Sequence, residues 1–72
     1  MKWIVELKSS TNLEDAKVKI EQAGGSWNAN LTDEAASEIL IAVEAPYNFP
    51  DRIKYILSDV IEVYPNSDIS LY

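Results

Sequence analysis

Few side chains in this sequence are suited to covalent or acid–base chemistry. Two neighbouring carboxylate pairs, Glu14-Asp15 and Asp33-Glu34, are the candidates for proton transfer, and the serines Ser9, Ser10, Ser26, Ser37, Ser58, Ser67 and Ser70 are candidates for nucleophilic attack. A carboxylate works as a general acid or base when burial or a like charge moves its pKa towards neutrality. Both pairs fall at a helix start or in a surface loop, where solvation and helix capping account for acidic residues without any reaction. A serine nucleophile needs a base, and the chain has no His and no Cys. The commonest general base, the thiolate nucleophile and the usual zinc ligands are therefore all missing. Gly24-Gly25 follows a helical pattern, whereas a phosphate-cradling glycine loop precedes one. The expectation is a protein that binds, with no catalytic residues, cofactor or metal.

The charge balance narrows what it binds. Six basic against twelve acidic residues give a net charge of −6, which repels phosphate backbones and anionic bilayers. Neither nucleic acid nor membrane is an expected partner; a basic surface or a helix N-terminus suits the charge, and so does plain solvation of an acidic exterior. A chain of 72 residues with 47% hydrophobic composition supports one domain with a thin core and a small net stability. No run approaches the length of a membrane span, and Met1 leads directly into a strand pattern without a basic, then apolar leader. That predicts an unexported chain, cytoplasmic if the sequence is complete.

Positioning falls to six elements. Lys2 to Lys8 alternates, with Trp3, Val5 and Leu7 on one face, as a half-buried strand does. Thr11-Asn12-Leu13-Glu14 has the form of a capping box, predicting a helix from about Asn12 to Ala23 with the stripe Leu13, Ala16, Ile20 and Ala23, ended by Gly24-Gly25. Ser26 to Leu31 alternates Trp27, Ala29 and Leu31 with Ser26, Asn28 and Asn30, a second and weaker strand. Residues 32–36 form a loop or a helical turn. Glu38 to Ala45 is the most apolar strand, closed by Pro46, and Pro50 suits the first turn of a helix with the stripe Phe49, Ile53, Ile56 and Leu57. Val60 to Tyr64 is the last strand. The order strand, helix, strand, strand, helix, strand predicts an α+β, ferredoxin-like βαββαβ sandwich: a four-stranded antiparallel sheet with both helices on one face. The expected core is Trp3, Val5, Leu7, Ile39, Ile41, Val43, Ile61 and Val63 under Leu13, Ile20, Ile53, Ile56 and Leu57. The opposite face is expected to carry Ile4, Glu6, Asn28, Asn30, Leu40, Ala42, Glu62 and Tyr64, with no element left to cover it. It is either a docking surface or a solvated face.

Beyond a domain spanning residues 1–66, residues 67–72 form a tail in which Asp68-Ile69-Ser70-Leu71-Tyr72 keeps apolar side chains that a polar terminus would not. Lys2-Trp3-Ile4-Val5-Glu6-Leu7-Lys8, a helix closing in Glu21-Gln22-Ala23-Gly24-Gly25, and the segment Val60 to Tyr72 together resemble the propeptides of subtilisin-type serine proteases and their free-standing relatives, the peptidase inhibitor I9 family. The likeness runs through nearly the whole chain in the order of its elements. It implies that the open sheet face packs on two surface helices of a subtilisin-like protease while the tail lies in the active-site cleft as substrate would. It places Tyr72 in the pocket before the cleaved bond, Leu71 and Ser70 next, and Ile69 in the apolar pocket four positions upstream, with no bond after Tyr72 to cut. It also implies that Glu62 and Asp68 approach the N-termini of the protease helices. The family's attached members act as intramolecular chaperones as well, and its free-standing members inhibit in trans, which is the expectation here, with a chain that is monomeric when free. Pro65-Asn66-Ser67 departs from the family, where acidic residues are common at that place.

Two alternatives stay open. Residues 66–72 would instead extend the last strand and bury Ile69 and Leu71 at the sheet edge, or the chain is a small regulatory domain similar to ACT domains, which pair sheets and bind effectors at the interface.

Overall fold

A computed structural model describes residues 1–32 and 37–66. Its elements are β1 (Lys2–Lys8), α1 (Leu13–Gln22), β2 (Ser26–Asn30), β3 (Glu38–Glu44), α2 (Phe49–Ile56) and β4 (Val60–Pro65). The strands form one antiparallel sheet in the order β2-β3-β1-β4. This is the expected α+β, βαββαβ arrangement. The helix-side core joins Trp3, Val5, Leu7, Ile39, Ile41, Val43 and Val63 of the sheet to Ala16, Ile20, Ala23, Phe49, Ile53 and Leu57. Period-2 alternation in β1 and β3 puts these side chains on one face because successive Cβ atoms point to opposite sides of a strand.

Helix α1 starts one residue later than a box anchored on Thr11 requires. The cap is Asn12, whose side-chain oxygen accepts the Asp15 amide at 3.0 Å. An Asn or Asp carbonyl competes well for this position, and Thr11 turns inward, where its hydroxyl is buried without a hydrogen-bond partner among the described residues. Leu13, at the first helical position, is exposed and not part of the core. Helix α2 has Pro50 in its first turn, where the missing N–H costs nothing.

Helix α1 ends at a turn that the core requires. The Gly24 amide bonds Glu21 C=O at 3.0 Å and the Gly25 amide bonds Ile20 C=O at 2.9 Å, the paired hydrogen bonds of a Schellman ending. Gly24 has φ +91°, which a side chain resists. At Gly25 the constraint is space: a Cβ there would lie 2.8 Å from Phe49 Cε1 and 2.9 Å from both Ile20 Cγ2 and Val43 Cγ1.

Two irregularities in register correct the expected faces. In β4, Leu7 pairs with Val60, and the ladder resumes at Glu6↔Glu62, so Ile61 is an extra residue. A bulge of this kind turns its residue out of the alternation. Ile61 is 44% exposed and Val60 packs on the core in its place. In β2, Trp27 pairs with Val43 and Ala29 with Ala42, leaving Asn28 unpaired. Trp27, outside the expected core, packs against it, and Ala29 and Asn30 have exchanged faces.

Replacing Gly25 by Ala is predicted to destabilise the protein by about 1–3 kcal/mol through overpacking against Phe49, Ile20 and Val43. Gly24→Ala, limited by φ alone, is predicted to cost about 1 kcal/mol. Urea unfolding of both variants checks the order; a Gly25→Ala protein as stable as wild type would refute the close packing.

Candidate interaction surface

The sheet face turned away from the helices is built by cross-strand rows. Antiparallel partners share a face, so the row Tyr64–Ile4–Ala42–Ala29 runs across all four strands, and beside it lies Glu6, opposite Leu40 on β3 and Glu62 on β4. Lys2 opposite Glu44, and Lys8 opposite Glu38, frame these rows at either end. Ile4 is 1% exposed and Ala42 buried although both lie outside the helix-side core, and Leu40, Tyr64, Glu6 and Glu38 are half-buried around them. The face is therefore an apolar strip with carboxylates on one flank. No described helix packs on it.

Its electrostatics centre on Glu6. A hydrogen bond with Glu38 raises the Glu6 pKa above the usual carboxylate value, helped by burial and by the charges of Glu38 and Glu62. A neighbouring carboxylate disfavours the charged form of Glu6. Tyr64 is also pushed up, first by burial and then by the charges of Glu6 and Glu38. Lys2 and Lys8 lie on the same strand face as Glu6, four residues before it and two after it.

Glu62 behaves differently. Its Oε1 accepts the amide of Val63 at 3.1 Å and Lys54 Nζ of α2 at 3.1 Å. These contacts, the backbone amide first, hold its pKa below the usual value. Although Glu62 registers with Glu6, its carboxylate reaches the outer edge of β4 and joins the sheet to α2.

Of the side chains expected on the docking face, the structure brings Glu6, Leu40 and Tyr64 together with Ile4 and Ala42. Glu62 registers there opposite Glu6 but turns its carboxylate to Lys54 of α2, and Asn30 is not brought there. Asn28 is the unpaired residue of the β2 irregularity, and Asn30 registers with Ile41, on the parity of the helix side, where its side chain accepts the Thr32 amide at 2.9 Å. The tail residues Asp68, Ile69, Ser70, Leu71 and Tyr72 lie outside the described residues.

No family model, curated protein or solved structure matches this chain.

Glu38 was missing from the sequence expectation; its alternation with Leu40 and Ala42 along β3, opposite Lys8, is the signal that places it on this face. Of the carboxylate pairs considered for chemistry, Glu14 and Asp15 stand exposed in the first turn of α1, with Asp15 bonded to Lys19 at 3.2 Å. Asp33 and Glu34 lie outside the described residues. No group of three or more metal-ligating side chains occurs among the described residues, and none of the described helices is long and apolar enough to cross a membrane.

The raised Glu6 pKa has a definite sign in stability. Between the unfolded value and the higher folded value the native state holds more proton than the unfolded state, so this group's contribution falls as pH rises through the folded pKa. Glu6→Gln is predicted to stabilise the protein at pH 7, with the gain over wild type fading as the pH falls below the ordinary carboxylate range. Paired urea titrations at neutral and acidic pH check this; a variant less stable than wild type at pH 7 would count against the carboxyl pair.

Proposed function

We propose that this chain is a protein inhibitor of a subtilisin-like serine protease, acting by binding and not by catalysis. On this reading the sheet face away from the helices docks on the protease surface, and the segment Asp68 to Tyr72 occupies the active-site cleft as substrate would. The observation that carries the reading is the half-buried pair Leu40 and Tyr64 over the buried Ile4 and Ala42, flanked by Glu6 and Glu38, on a face against which no described helix packs. Such a strip suits an apolar contact with helix N-termini or basic groups beside it, where a carboxylate is favoured. The tie between the Asn66 amide and Lys2 C=O at 3.0 Å supports it further, because it anchors the chain to β1 immediately before the proposed cleft-binding segment. An extended segment entering a protease cleft gains affinity from backbone pairing, and side-chain pockets add selectivity. An already folded scaffold presents that segment at a smaller ordering cost.

Steady-state inhibition of a purified subtilisin tests the reading. Deleting residues 69–72 is expected to leave the circular dichroism spectrum unchanged and to remove most of the inhibition. Leu40→Lys is expected to weaken inhibition by about tenfold or more, as a charge forced into an apolar contact does, while Val18→Lys on the exposed side of α1 leaves it unchanged. Absence of inhibition by the folded full chain would dismiss the proposal.

A further inference from the structure

The two edges of the sheet are treated unlike each other. The β4 edge is blocked: Glu62 covers the Val63 amide, Lys54 holds that carboxylate, Ile61 interrupts the ladder, and Pro65 has no N–H to offer. Charged side chains, bulges and proline are the devices by which natural sheets prevent edge pairing. The β2 edge lacks most of them. Ser26–Asn30 contains neither a charge nor a proline, and it lies within the eleven-residue stretch Gln22 to Thr32, the longest run of this chain without a charged residue. Every residue of β2 except Trp27 is exposed, and among the described residues no backbone hydrogen bond outside the strand ladders reaches Ser26–Asn30.

We propose that β2 is a self-pairing edge: two copies of this chain join β2 to β2, antiparallel about a two-fold axis, and their sheets become one. The occupant follows from charge. Each copy carries −6, so two copies meet most readily where neither presents an acidic side chain, and the uncharged β2 segment offers that. A two-fold contact requires a patch complementary to itself, which an uncharged antiparallel strand satisfies. The Asn28 irregularity keeps the shared ladder short, so this is a small contact of the weak class below about 1,000 Å². It departs from the expectation of a free monomer. The apolar strip is a face and not an edge, so the pairing is independent of the inhibitor reading and would survive its failure.

Sedimentation equilibrium of the full chain, carried up to roughly millimolar concentration in about 0.15 M salt to screen long-range repulsion, is the test. Wild type is expected to dimerise. Asn28→Lys and Asn30→Lys each reduce the net charge and so weaken general repulsion between copies, yet each is expected to raise the dimer dissociation constant by about tenfold or more through a buried edge charge. Val18→Lys makes the same charge change on α1 and is expected to leave dimerisation as strong as in wild type or stronger. If both edge variants fail to fold, amide exchange of the wild type decides: protection that rises with concentration at residues 26–30 supports the pairing. A chain monomeric throughout, a dimer indifferent to both lysines, or concentration-dependent protection confined to other strands would each overturn it. So would protection of β2 that arises only when another protein is added, which would mark the edge as the seat of a foreign strand.

Discussion

The close approach at Gly25 is the contact on which the rest of this small fold depends. The last turn of α1, the C-terminal end of β3 and the first residue of α2 meet there, because hydrogen at Gly25 is all that separates the Phe49 ring from Ile20 and Val43. Phe49 is fully buried, and a buried side chain of that size contributes about 1.5–3 kcal/mol relative to exposure. In a 72-residue chain without cysteine, that is a sizeable share of the net stability. The Gly24-Gly25 turn also sets where β2 begins.

Strong alternation and helical spacing were readable in the sequence wherever one face is buried throughout. In β1 and β3, Trp3, Val5, Leu7, Ile39, Ile41 and Val43 could sit only one way, because the other register would bury Lys and Glu. The βαββαβ order followed from that. What could not be read was the choice between near-equals. Val60 and Ile61 are adjacent β-branched residues, and only the pairing with Leu7 decides that Val60 turns in. Thr11 and Asn12 are adjacent capping residues, and the inward turn of Thr11 decides between them. In β2 the alternation was present but broken after Trp27, so a parity count carried past Asn28 put Asn30 on the wrong side. The candidate face was legible in part for the same reason. Glu6, Leu40 and Tyr64 lie on regular stretches of the ladder, whereas Asn28, Asn30 and Glu62 depend on irregularities and on side-chain reach.

The face itself combines two physical demands. Ile4 and Ala42 keep water out of the middle of the sheet, while Glu6 and Glu38 stand beside them close enough to share a hydrogen bond. A carboxyl pair next to apolar surface is costly when both groups are charged, and each added negative neighbour, Glu62 here, increases that cost. A surface of this kind is electrostatically unfinished. Lys2 and Lys8 register with Glu44 and Glu38, but no cation registers with Glu6. Such local frustration is common where a protein gives up stability for recognition.

Glu62 has consequences for any partner that recruits acidic groups from this side of the molecule. Its single Oε1 both covers the Val63 amide and holds Lys54, so the same oxygen cannot turn to a foreign donor without releasing both. Release would expose a bare N–H on the outer strand and loosen the strap between β4 and α2. The carboxylate thus acts as a latch worked through one oxygen: a donor that displaces Oε1 opens the edge, and one that meets Oε2 leaves it closed.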